Sequence, residues 1–496
     1  MKNKAFKIAS ILLFALVIML PWGLSLAGAD AGGESGDSKE VRTLAEFPRE
    51  YSNDYFSRIN SYVNDHSPMR GPIIDLVNGI GDRLSGFYAD KIVAPMTGSG
   101  DGALPAVPTA VDFSCVLSDE GAAAPTDHTH EYRVVRRQEV SYHHDGYTLE
   151  KCAVCGSARV TGLKLRTELE GFAAGKRPVV YSGDGFAGIH DWYFYSRDNS
   201  IGYVQGDNLL SPEEMADWKN SFEELKAECD KRGIDLVVLV CPNKEMVYTE
   251  YLPYGIDLSR SDSEKRESVM AEYMKANSSV HYVYPLQAEK TAKIFCETYS
   301  QQDTHWNLVG GFVAAMQIYA ELGLPRSGFD NIGISEYPVS GGDLAVLGVG
   351  PATEYTDYGI AYKPEIISVE TQTFSNTVLG SNDAPNSELR VLESNAPGNR
   401  KAVIIGDSFR RAMTPFISKD YAKLTVGHKG NLDLVSNFCA DADGNVSPCE
   451  KRVLIDAVGE LGNGDLLILS SVERADGENA DIAKKLTKIM RESSGR

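Results

Sequence analysis

The feature that most constrains this sequence is a repeated alternation of helical and strand-like segments over its carboxyl-terminal half. The alternation begins with a helix predicted at 211–233, where Ser211 caps the start, Pro212 takes the first helical position and Glu214 completes a capping box. The continuous apolar run IDLVVLVCP follows directly. A run of this kind is typical of a strand that is buried on both faces, as strands of a parallel sheet are.

The same alternation continues along the chain. Further helices are predicted at 261–276, at 307–322, after Phe409 and at 449–461, and further strands at VHYVYPL, KAVIIGDS, AKLTVGH and DLLILS. Alternating helices and strands predict an α/β fold, with a parallel sheet and helices on both of its faces. In such folds the functional groups gather at the carboxyl ends of the strands.

Composition narrows the choice of partners. The chain has 496 residues, of which 43% are hydrophobic, so a sizeable core is available. The formal net charge is −20, which argues against nucleic acid as a partner, because phosphate binding needs clustered lysine and arginine. The same charge argues against docking of the folded part on an anionic lipid surface.

The amino terminus indicates export. Lys2, Lys4 and Lys7 precede a stretch without charged side chains from Ile8 to Ala29. Two interpretations remain open: a cleaved signal peptide, or an uncleaved anchor that is long enough to span a bilayer. In either case the rest of the chain is expected outside the cytoplasm, at the cell surface or secreted.

Changes in composition divide the chain into four parts. They are a signal peptide or N-terminal membrane anchor at 1–29, a linker with membrane-proximal helices at 30–110, a Cys/His-rich insertion at 111–165 and a main α/β domain at 166–496.

The turn after the KAVIIGDS strand is the first candidate site. Asp407 and Ser408 stand where the apolar run ends and a helix is expected to begin. One interpretation is a turn in which Asp407 or Ser408 acts as the helix N-cap. The other is a serine nucleophile presented at the carboxyl end of a strand. Local sequence fits both interpretations, so the choice depends on a basic partner elsewhere in the chain.

Asp303 and His305 provide such a partner. Two positions apart on an extended segment, their side chains point to the same side. The carboxylate can then hold one imidazole nitrogen while the other faces a hydroxyl, as in acyl-transfer catalysis. The alternative makes Asp303 a helix cap and His305 a packed or surface residue. Together with Ser408 in the same α/β domain, the pair favours catalysis, with Ser408 as nucleophile, His305 as base and Asp303 as the orienting carboxylate.

Other polar residues near strand ends allow two interpretations each. Asn243 and Lys244 either face the site or simply form a turn. Tyr248 and Arg410 likewise either contribute to the site or have no role in it. His428 is a weaker candidate base, because it lacks a nearby carboxylate other than Asp433.

The order of several motifs adds a family resemblance. The segment DTHWN is followed by a Gly-Gly helix and, further on, by IIGDSF. Together with DWYFYSRDNS, SGGDLAVLG and LLILSSVER, these motifs resemble DHHW-motif proteins of the alginate O-acetyltransferase-like (AlgX/AlgJ-type) group within the SGNH hydrolase superfamily. The resemblance implies an SGNH-like catalytic domain at 166–496. Its motif order is circularly permuted, because the Asp/His pair precedes the serine.

The resemblance also implies a function. It is that of an exported serine-dependent O-acetyltransferase, which modifies a cell-surface polysaccharide through an acetyl-serine intermediate and needs no cofactor for catalysis. The acetyl groups would come from an integral-membrane acyltransferase partner. Two alternatives stay open: a carbohydrate O-acetyl esterase, and a non-catalytic glycan-binding or scaffold protein of the cell envelope. Trp192, Tyr193 and Trp306 are candidates for a sugar-stacking face, or else belong to the core.

The insertion carries a separate signal. Its sequence HTHEYRVVRRQEVSYHHDGYTLEKCAVCG contains a CxxC pair and several histidines, a combination that suits tetrahedral zinc. The candidate ligands of a structural zinc ion are His130, Cys152, Cys155 and either His144 or its neighbour His143. The alternative is a hairpin-rich surface insertion whose thiols are free or joined in a disulfide.

Overall fold

The computed structural model describes residues 129–154, 158–324, 332–362, 368–374, 389–432, 436–441, 446–451 and 453–494. The predicted export segment at 1–29, the predicted linker and helices at 30–110 and Cys155 lie outside these ranges, so the expectations for them stay predictions. Within these ranges no helix combines the length and the apolar character needed to cross a membrane.

Strands of the described residues form one sheet of nine strands and three small sheets. Numbered along the chain, the strands are β1 (Tyr132–Gln138), β2 (Gly146–Cys152), β3 (Ala158–Lys164), β4 (Tyr181–Ser182), β5 (Gly185–Ala187), β6 (Tyr193–Tyr195), β7 (Asp235–Cys241), β8 (His281–Val283), β9 (Ile332–Ser340), β10 (Glu354–Tyr362), β11 (Ser368–Phe374), β12 (Leu389–Ser394), β13 (Lys401–Gly406), β14 (Lys423–His428), β15 (Ser436–Asp441), β16 (Val446–Lys451) and β17 (Leu466–Val472).

The described residues also form ten helices. They are α1 (Ser200–Gln205), α2 (Pro212–Asp230), α3 (Lys244–Val247), α4 (Arg266–Asn277), α5 (Leu286–Ala292), α6 (Leu308–Glu321), α7 (Asp343–Val346), α8 (Arg410–Ile417), α9 (Val453–Gly459) and α10 (Gly477–Ser494). Short 3-10 turns lie at Arg166–Glu168, Phe172–Gly175, Thr249–Tyr251, Asp262–Glu264, Lys429–Asn431 and Glu473–Ala475.

The large sheet has a parallel half and an antiparallel half. Its strand order is β16-β15-β11-β12-β14-β13-β17-β7-β8. The five strands from β14 to β8 run parallel, and they are the five that the apolar runs predict. The predicted α/β fold with a parallel sheet is therefore confirmed. The four strands beyond β14 are antiparallel and were not predicted.

Both faces of the parallel half are buried, as the continuous apolar runs predict. Val237 and Leu239 of β7 pack in one hydrophobic cluster, and the alternate residues Leu236 and Val238 pack in a second. Residues of α5, α6 and α8 belong to the first cluster, and residues of α2, α4, α9 and α10 to the second. Helices therefore cover both faces of the sheet, and its strand ends remain as the place for a site.

The described part of the insertion is the antiparallel sheet β1-β2-β3. Tyr147 and Leu149 of β2 belong to the same hydrophobic cluster as Tyr251 of the main domain. The insertion therefore shares the main core. The boundaries expected from the sequence stay a prediction.

Candidate active site

In the turn after β13, Asp407 and Ser408 have different roles, a point that the sequence left undecided. The carboxylate of Asp407 accepts hydrogen bonds from the backbone N–H of Phe409, at 3.0 Å, and of Val472, at 2.6 Å. Asp407 therefore stabilises the turn and ties it to the end of β17. Because Asp407 provides this stabilisation, the half-buried side chain of Ser408 is left to make other contacts.

The histidine loop, residues 300–306, leads into α6. Asn307 is the N-cap of that helix, because its side-chain oxygen accepts the N–H of Val309 at 2.9 Å and of Gly310 at 3.3 Å. The alternative that made Asp303 the helix cap is therefore wrong. Asp303 lies further back in the loop, where its carboxylate is available to His305.

Close packing of α6 against α8 brings this loop to the turn after β13. A Cβ atom at Gly311 would lie 2.3 Å from the backbone carbon of Ala412, so only glycine allows the two helices to approach this closely. The indole N–H of Trp306 also donates to the carbonyl oxygen of Phe409, at 2.8 Å. The Gly-Gly pair that opens α6 thus has a direct geometric role in the site.

Ser408, His305 and Asp303 form one hydrogen-bonded line. The Nε2 atom of His305 lies 2.6 Å from Oγ of Ser408, and its Nδ1 atom lies 2.6 Å from Oδ1 of Asp303. The backbone N–H of His305 donates to the same carboxylate oxygen at 3.0 Å, which fixes the imidazole relative to Asp303. The structure therefore brings together the three side chains that the sequence analysis selected.

A second carboxylate, which the sequence analysis missed, adjoins the imidazole. Oδ2 of Asp343 lies 3.4 Å from Nδ1 of His305, and the backbone N–H of Asp343 donates to Asp303 at 3.0 Å. Thr304 joins the two segments, because its N–H and hydroxyl donate to Asp343 at 2.6 and 2.5 Å. A Cβ atom at Gly342 would lie 2.4 Å from the carbonyl oxygen of Gln302, so this approach also requires glycine.

The charges of this group are strongly coupled. Burial by itself would lower the pKa of His305, but its hydrogen bonds to Asp303 and Asp343, and the charges of both, raise the pKa to about 9. Burial likewise opposes ionisation of Asp303, yet the hydrogen bond and charge of His305 hold the pKa of that carboxyl well below its usual range. At neutral pH the pair is therefore an imidazolium next to a carboxylate.

Lys244 holds the histidine loop in place through hydrogen bonds to its backbone. Its side chain is 1% exposed, and its ammonium donates to the backbone carbonyls of Ser300 at 3.2 Å, Gln301 at 3.0 Å and Asp303 at 2.6 Å. Burial lowers the pKa of Lys244 to about 8, although nearby carboxylates such as Glu245 oppose this shift. The sequence left open whether Lys244 faces the site, and the structure places it behind the loop.

The remaining polar candidates have structural roles. Asn243 is buried and accepts a hydrogen bond from Arg474, and the buried hydroxyl of Tyr248 accepts the N–H of Thr298 at 2.8 Å. Arg410 is buried and donates to the carbonyl of Asp407 at 2.5 Å, so it does not lie on the surface.

The candidate base His428 and the three aromatic candidates make structural contacts. Nδ1 of His428 accepts the N–H of Gly430, and burial together with the charge of Arg410 lowers the pKa of His428 to about 4. The suggested sugar-stacking residues are core residues, with exposures of 0% for Trp192, 3% for Tyr193 and 3% for Trp306.

The predicted zinc set is not assembled as the sequence analysis proposed. His144 precedes β2, and Cys152 is its last residue. Because a strand advances about 3.3 Å per residue, the two residues lie roughly 20 Å apart. The imidazole of His144 instead lies 3.7 Å from the carboxylate of Glu297 and 3.3 Å from the hydroxyl of Tyr358. His143, at the same end, has its Nδ1 atom 3.4 Å from the side-chain amide of Gln301. Neither histidine can share a metal ion with Cys152.

The rest of that set stays a prediction. His130 lies at the same end of the hairpin as Cys152, because its ring contacts Tyr132 at 5.3 Å and Tyr132 pairs with Cys152. Cys155 falls outside the described residues. Within the described ranges, the one group of three acidic, histidine or cysteine side chains close enough to share an ion is Asp303, His305 and Asp343, whose hydrogen bonds already account for their approach.

The fold is an α/β fold whose parallel strands end at the line of Asp303, His305 and Ser408. Residues 186–349 match the family model of the SGNH hydrolase-like domain of the acetyltransferase AlgX. This part of the chain is thus similar to the AlgX-type SGNH hydrolase-like domain, in agreement with the resemblance stated from the sequence. The matched segment includes Asp303, His305 and Asp343, while Ser408 follows it. No curated protein matches the sequence.

Several solved structures are similar in outline. A DHHW family protein from Eubacterium siraeum has 17% identity and a TM-score of 0.40, over 62% of this chain and 98% of that protein. The O-acetyltransferase domain of Pseudomonas putida AlgJ has 14% identity and a TM-score of 0.35, over 62% and 100%. Bacillus cereus PatB1 has 13% identity and a TM-score of 0.36, over 60% and 97%. Similarity at this level does not bear on activity.

Proposed function

We propose that this protein is an exported serine-dependent O-acetyltransferase, which transfers acetyl groups to a cell-surface polysaccharide through an acetyl-serine intermediate. The observation that carries the proposal is the line of contacts from Asp303 through His305 to Ser408, with both contacts of the imidazole at 2.6 Å. The family match over 186–349 supports acyl transfer as the general chemistry.

The first half-reaction forms the acetyl-serine. In its neutral form His305 accepts the hydroxyl proton of Ser408 at Nε2 while Oγ attacks the carbonyl carbon of an acetyl ester. The tetrahedral intermediate then collapses, the bond to the donor oxygen breaks, and that oxygen takes the proton from His305. Asp303 holds the imidazole in place and stabilises its positive charge throughout.

The backbone N–H of Ser408 is suited to stabilise the intermediate. Among the described residues no acceptor bonds to this N–H, which stands at the beginning of α8. A free N–H at the start of a helix favours negative charge on a nearby oxygen. We therefore assign it to the oxyanion of the tetrahedral intermediate.

The second half-reaction distinguishes a transferase from an esterase. If a sugar hydroxyl attacks the acetyl-serine, with His305 again accepting the proton, the product is an acetylated glycan. If water attacks instead, the same residues make a carbohydrate O-acetyl esterase, which remains the alternative. The proposal adds an integral-membrane acyltransferase as the source of acetyl groups and assigns no catalytic cofactor.

A direct test follows the acetyl group. The purified chain is treated with p-nitrophenyl acetate, and intact-mass spectrometry is used to detect an acetyl adduct on Ser408. We expect the adduct in the wild type and none in Ser408→Ala, together with acetylated product when an oligosaccharide acceptor is present. Normal p-nitrophenol release by Ser408→Ala would remove the serine mechanism.

The non-catalytic alternative makes the opposite prediction. A glycan-binding or scaffold protein has no need of an aligned triad, and its Ser408 would stay unmodified even at high concentrations of a fluorophosphonate. The contacts of His305 described above give that alternative no support.

A further inference from the structure

One buried carboxylate outside the triad contacts both ends of the histidine loop. Asp357 lies on β10 and is 5% exposed. Its Oδ2 atom accepts the hydroxyl of Ser300 at 2.5 Å, and its Oδ1 atom accepts the side-chain amide of Asn307 at 2.9 Å. Ser300 is the first residue of the loop, and Asn307 directly follows its last residue. The proposed chemical steps do not use Asp357.

Three side chains of the histidine loop contact a single hairpin. This β9–β10 hairpin consists of β9, β10 and the segment between them, residues 332–362. The contacts are Ser300 with Asp357, Gln302 with Thr353 and Thr304 with Asp343. The catalytic Asp303 and His305 lie next to these residues in the loop and form the line to Ser408. The hairpin therefore holds the segment that carries the catalytic base.

Backbone hydrogen bonds close the histidine loop on itself. The N–H of Asn307 donates to the carbonyl of Thr298 at 3.0 Å, and the N–H of Ser300 donates to the carbonyl of His305 at 3.4 Å. Both bonds join residues of the loop or its direct neighbours, so they do not set where the loop lies relative to the nucleophile. Contacts with other elements do this, and Asp357 provides one at each end of the loop.

The carboxylate of Asp357 also sets the orientation of the Asn307 side chain. The amide nitrogen of Asn307 donates to Asp357 and to the carbonyl of Glu297, both at 2.9 Å. Its oxygen therefore points to the first turn of α6, where it accepts the N–H groups of Val309 and Gly310. The reversed amide would place donors against donors at both sites. Asp357 thus supports the cap of α6, the helix that packs against α8.

The charge of Asp357 complements the buried ammonium of Lys244. Burial lowers the pKa of Lys244, and the charge of Asp357, like that of Glu245, opposes this shift. The ammonium donates to three backbone carbonyls of the histidine loop. The loop is therefore bound by a cation at its carbonyls and by an anion at its two ends, and the two charges stabilise each other.

We propose that Asp357 is a positioning residue for the catalytic base, which keeps His305 within reach of Ser408 by tying both ends of the histidine loop to the β9–β10 hairpin. This inference rests on the proposed function, since it concerns the base of that reaction. Asp357 acts through Ser300 and Asn307 and not on the reacting atoms. Nε2 of His305 lies 2.6 Å from Oγ of Ser408, and a displacement of about 1 Å costs roughly 10²-fold in rate.

Turnover of p-nitrophenyl acetate gives the first measurement. Asp357→Ala leaves the hydroxyl of Ser300 and the amide of Asn307 without their acceptor, so the loop should shift. We expect kcat to fall at least about tenfold while KM changes less than about twofold, because alignment is lost and not binding. Asp357→Asn should stay within about threefold of the wild-type kcat. Its oxygen still accepts from Asn307, and the hydroxyl of Ser300 can accept from its nitrogen.

A carboxylate of similar burial at the other end of the large sheet is the matched control. Asp465 is 7% exposed and accepts the N–H of Lys401 at 2.6 Å and of Gly462 at 2.8 Å. It directly precedes β17, at the amino ends of the strands, whereas Ser408 follows the carboxyl end of β13. Asp465→Ala should lower the melting temperature, as Asp357→Ala does, but should change kcat less than about twofold.

A signal from the imidazole tests the same inference without turnover. At pH 7 the Nδ1–H proton of His305, which bonds to Asp303, is followed as a low-field proton NMR resonance and is assigned by its loss in His305→Asn. We expect this resonance to move or broaden in Asp357→Ala and in Ser300→Ala, and to stay unchanged in Asp465→Ala. Ser300→Ala removes a single hydrogen bond to the carboxylate, so it provides the test if Asp357→Ala does not fold.

Four outcomes would overturn the inference. They are a kcat of folded Asp357→Ala within about twofold of the wild type, an equal loss of kcat in Asp465→Ala, an unchanged His305 resonance in Asp357→Ala or Ser300→Ala, and an Asp357→Asn variant as inactive as Asp357→Ala. Failure of the proposed function would appear separately, as the absence of an acetyl adduct on Ser408 in the wild type. The NMR measurement would still report on the position of the imidazole.

Discussion

His305 lies between two carboxylates, and this arrangement sets the pH at which it can act as a base. The hydrogen bonds and charges of Asp303 and Asp343 outweigh burial and raise the pKa of His305 to about 9. Only the neutral imidazole can accept the proton of Ser408. The rate of Ser408 acylation should therefore rise about tenfold for each pH unit below pH 9 and level off above it. Stopped-flow release of p-nitrophenol between pH 6 and 10 measures this profile, and a plateau already present at pH 7 would contradict it.

The two carboxylates should differ in importance. Asp303 lies 2.6 Å from the imidazole, whereas Asp343 lies 3.4 Å away and is also bound by the hydroxyl of Thr304. We expect Asp303→Asn to lower kcat/KM by roughly 10³- to 10⁴-fold. Asp343→Asn should cost roughly tenfold and move the inflection of the pH profile to lower pH, because one negative charge is lost. An unshifted inflection in Asp343→Asn would limit Asp343 to a structural role.

How much of the site the sequence predicts depends on the range over which residues interact. Asp303 and His305 lie two positions apart, so their pairing is visible in local sequence, and Ser408 is marked by the end of an apolar run. Asp343 carries no such local signal. It reaches the site because Gly342 lets its loop pass close to the carbonyl oxygen of Gln302. This contact does not follow from spacing along the chain.

At the scale of elements, the contact between α6 and α8 controls the distance from imidazole to hydroxyl. Gly311→Ala would place a methyl group within 2.3 Å of the backbone of Ala412, so the helices must move apart. We expect a loss of about 1–3 kcal/mol in the free energy of unfolding and a larger, at least tenfold, loss in the rate of Ser408 acylation. Urea unfolding and acylation kinetics measure the two effects. Gly459→Ala, at a site where a new Cβ meets no atom within 4 Å, is the control.

The position of the histidine loop should depend on the ammonium group of Lys244. Lys244→Met keeps most of the apolar stem but removes three hydrogen bonds to backbone carbonyls of the loop. Carbonyls left buried without donors are costly, so the loop should shift. We expect at least a tenfold loss in kcat with a smaller change in KM, measured with p-nitrophenyl acetate. Unchanged kcat in a folded Lys244→Met protein would show that the loop keeps its position without this lysine.

The elements themselves are predicted unevenly. Strands β7, β13, β14 and β17 are continuous apolar runs, because helices cover both of their faces, and such runs are easily recognised. Strands β11, β12, β15 and β16 extend the sheet in antiparallel fashion and lack this pattern. One consequence is the helix predicted at 449–461, which begins only at Val453, because Val446–Lys451 form β16.

At the scale of the whole molecule, Arg166 joins the insertion to the main domain. Its side chain is 2% exposed and binds Asp145 of the insertion at 3.0 Å and Glu297 of the main domain at 3.4 Å. Arg166→Met would leave two carboxylates buried without their cation, so we expect a loss of about 3–5 kcal/mol in the free energy of unfolding, measured by urea denaturation. Adding Glu297→Gln should recover part of this loss. An additive effect of the two substitutions would contradict the coupling.

The order of strands in the large sheet has a consequence for how the chain folds. β17 lies between β13 and β7, yet it is the last of the described strands to be synthesised. Until residue 472 is available, no strand lies between β7 and β13, and the hydrogen bond from the N–H of Val472 to Asp407, which holds the turn after β13, cannot form. Such distant pairing slows folding, because a long loop must close before the contact forms. Fragments that stop short of β17 should therefore hold the turn of Ser408 less firmly and acylate this serine more slowly than the chain that includes β17.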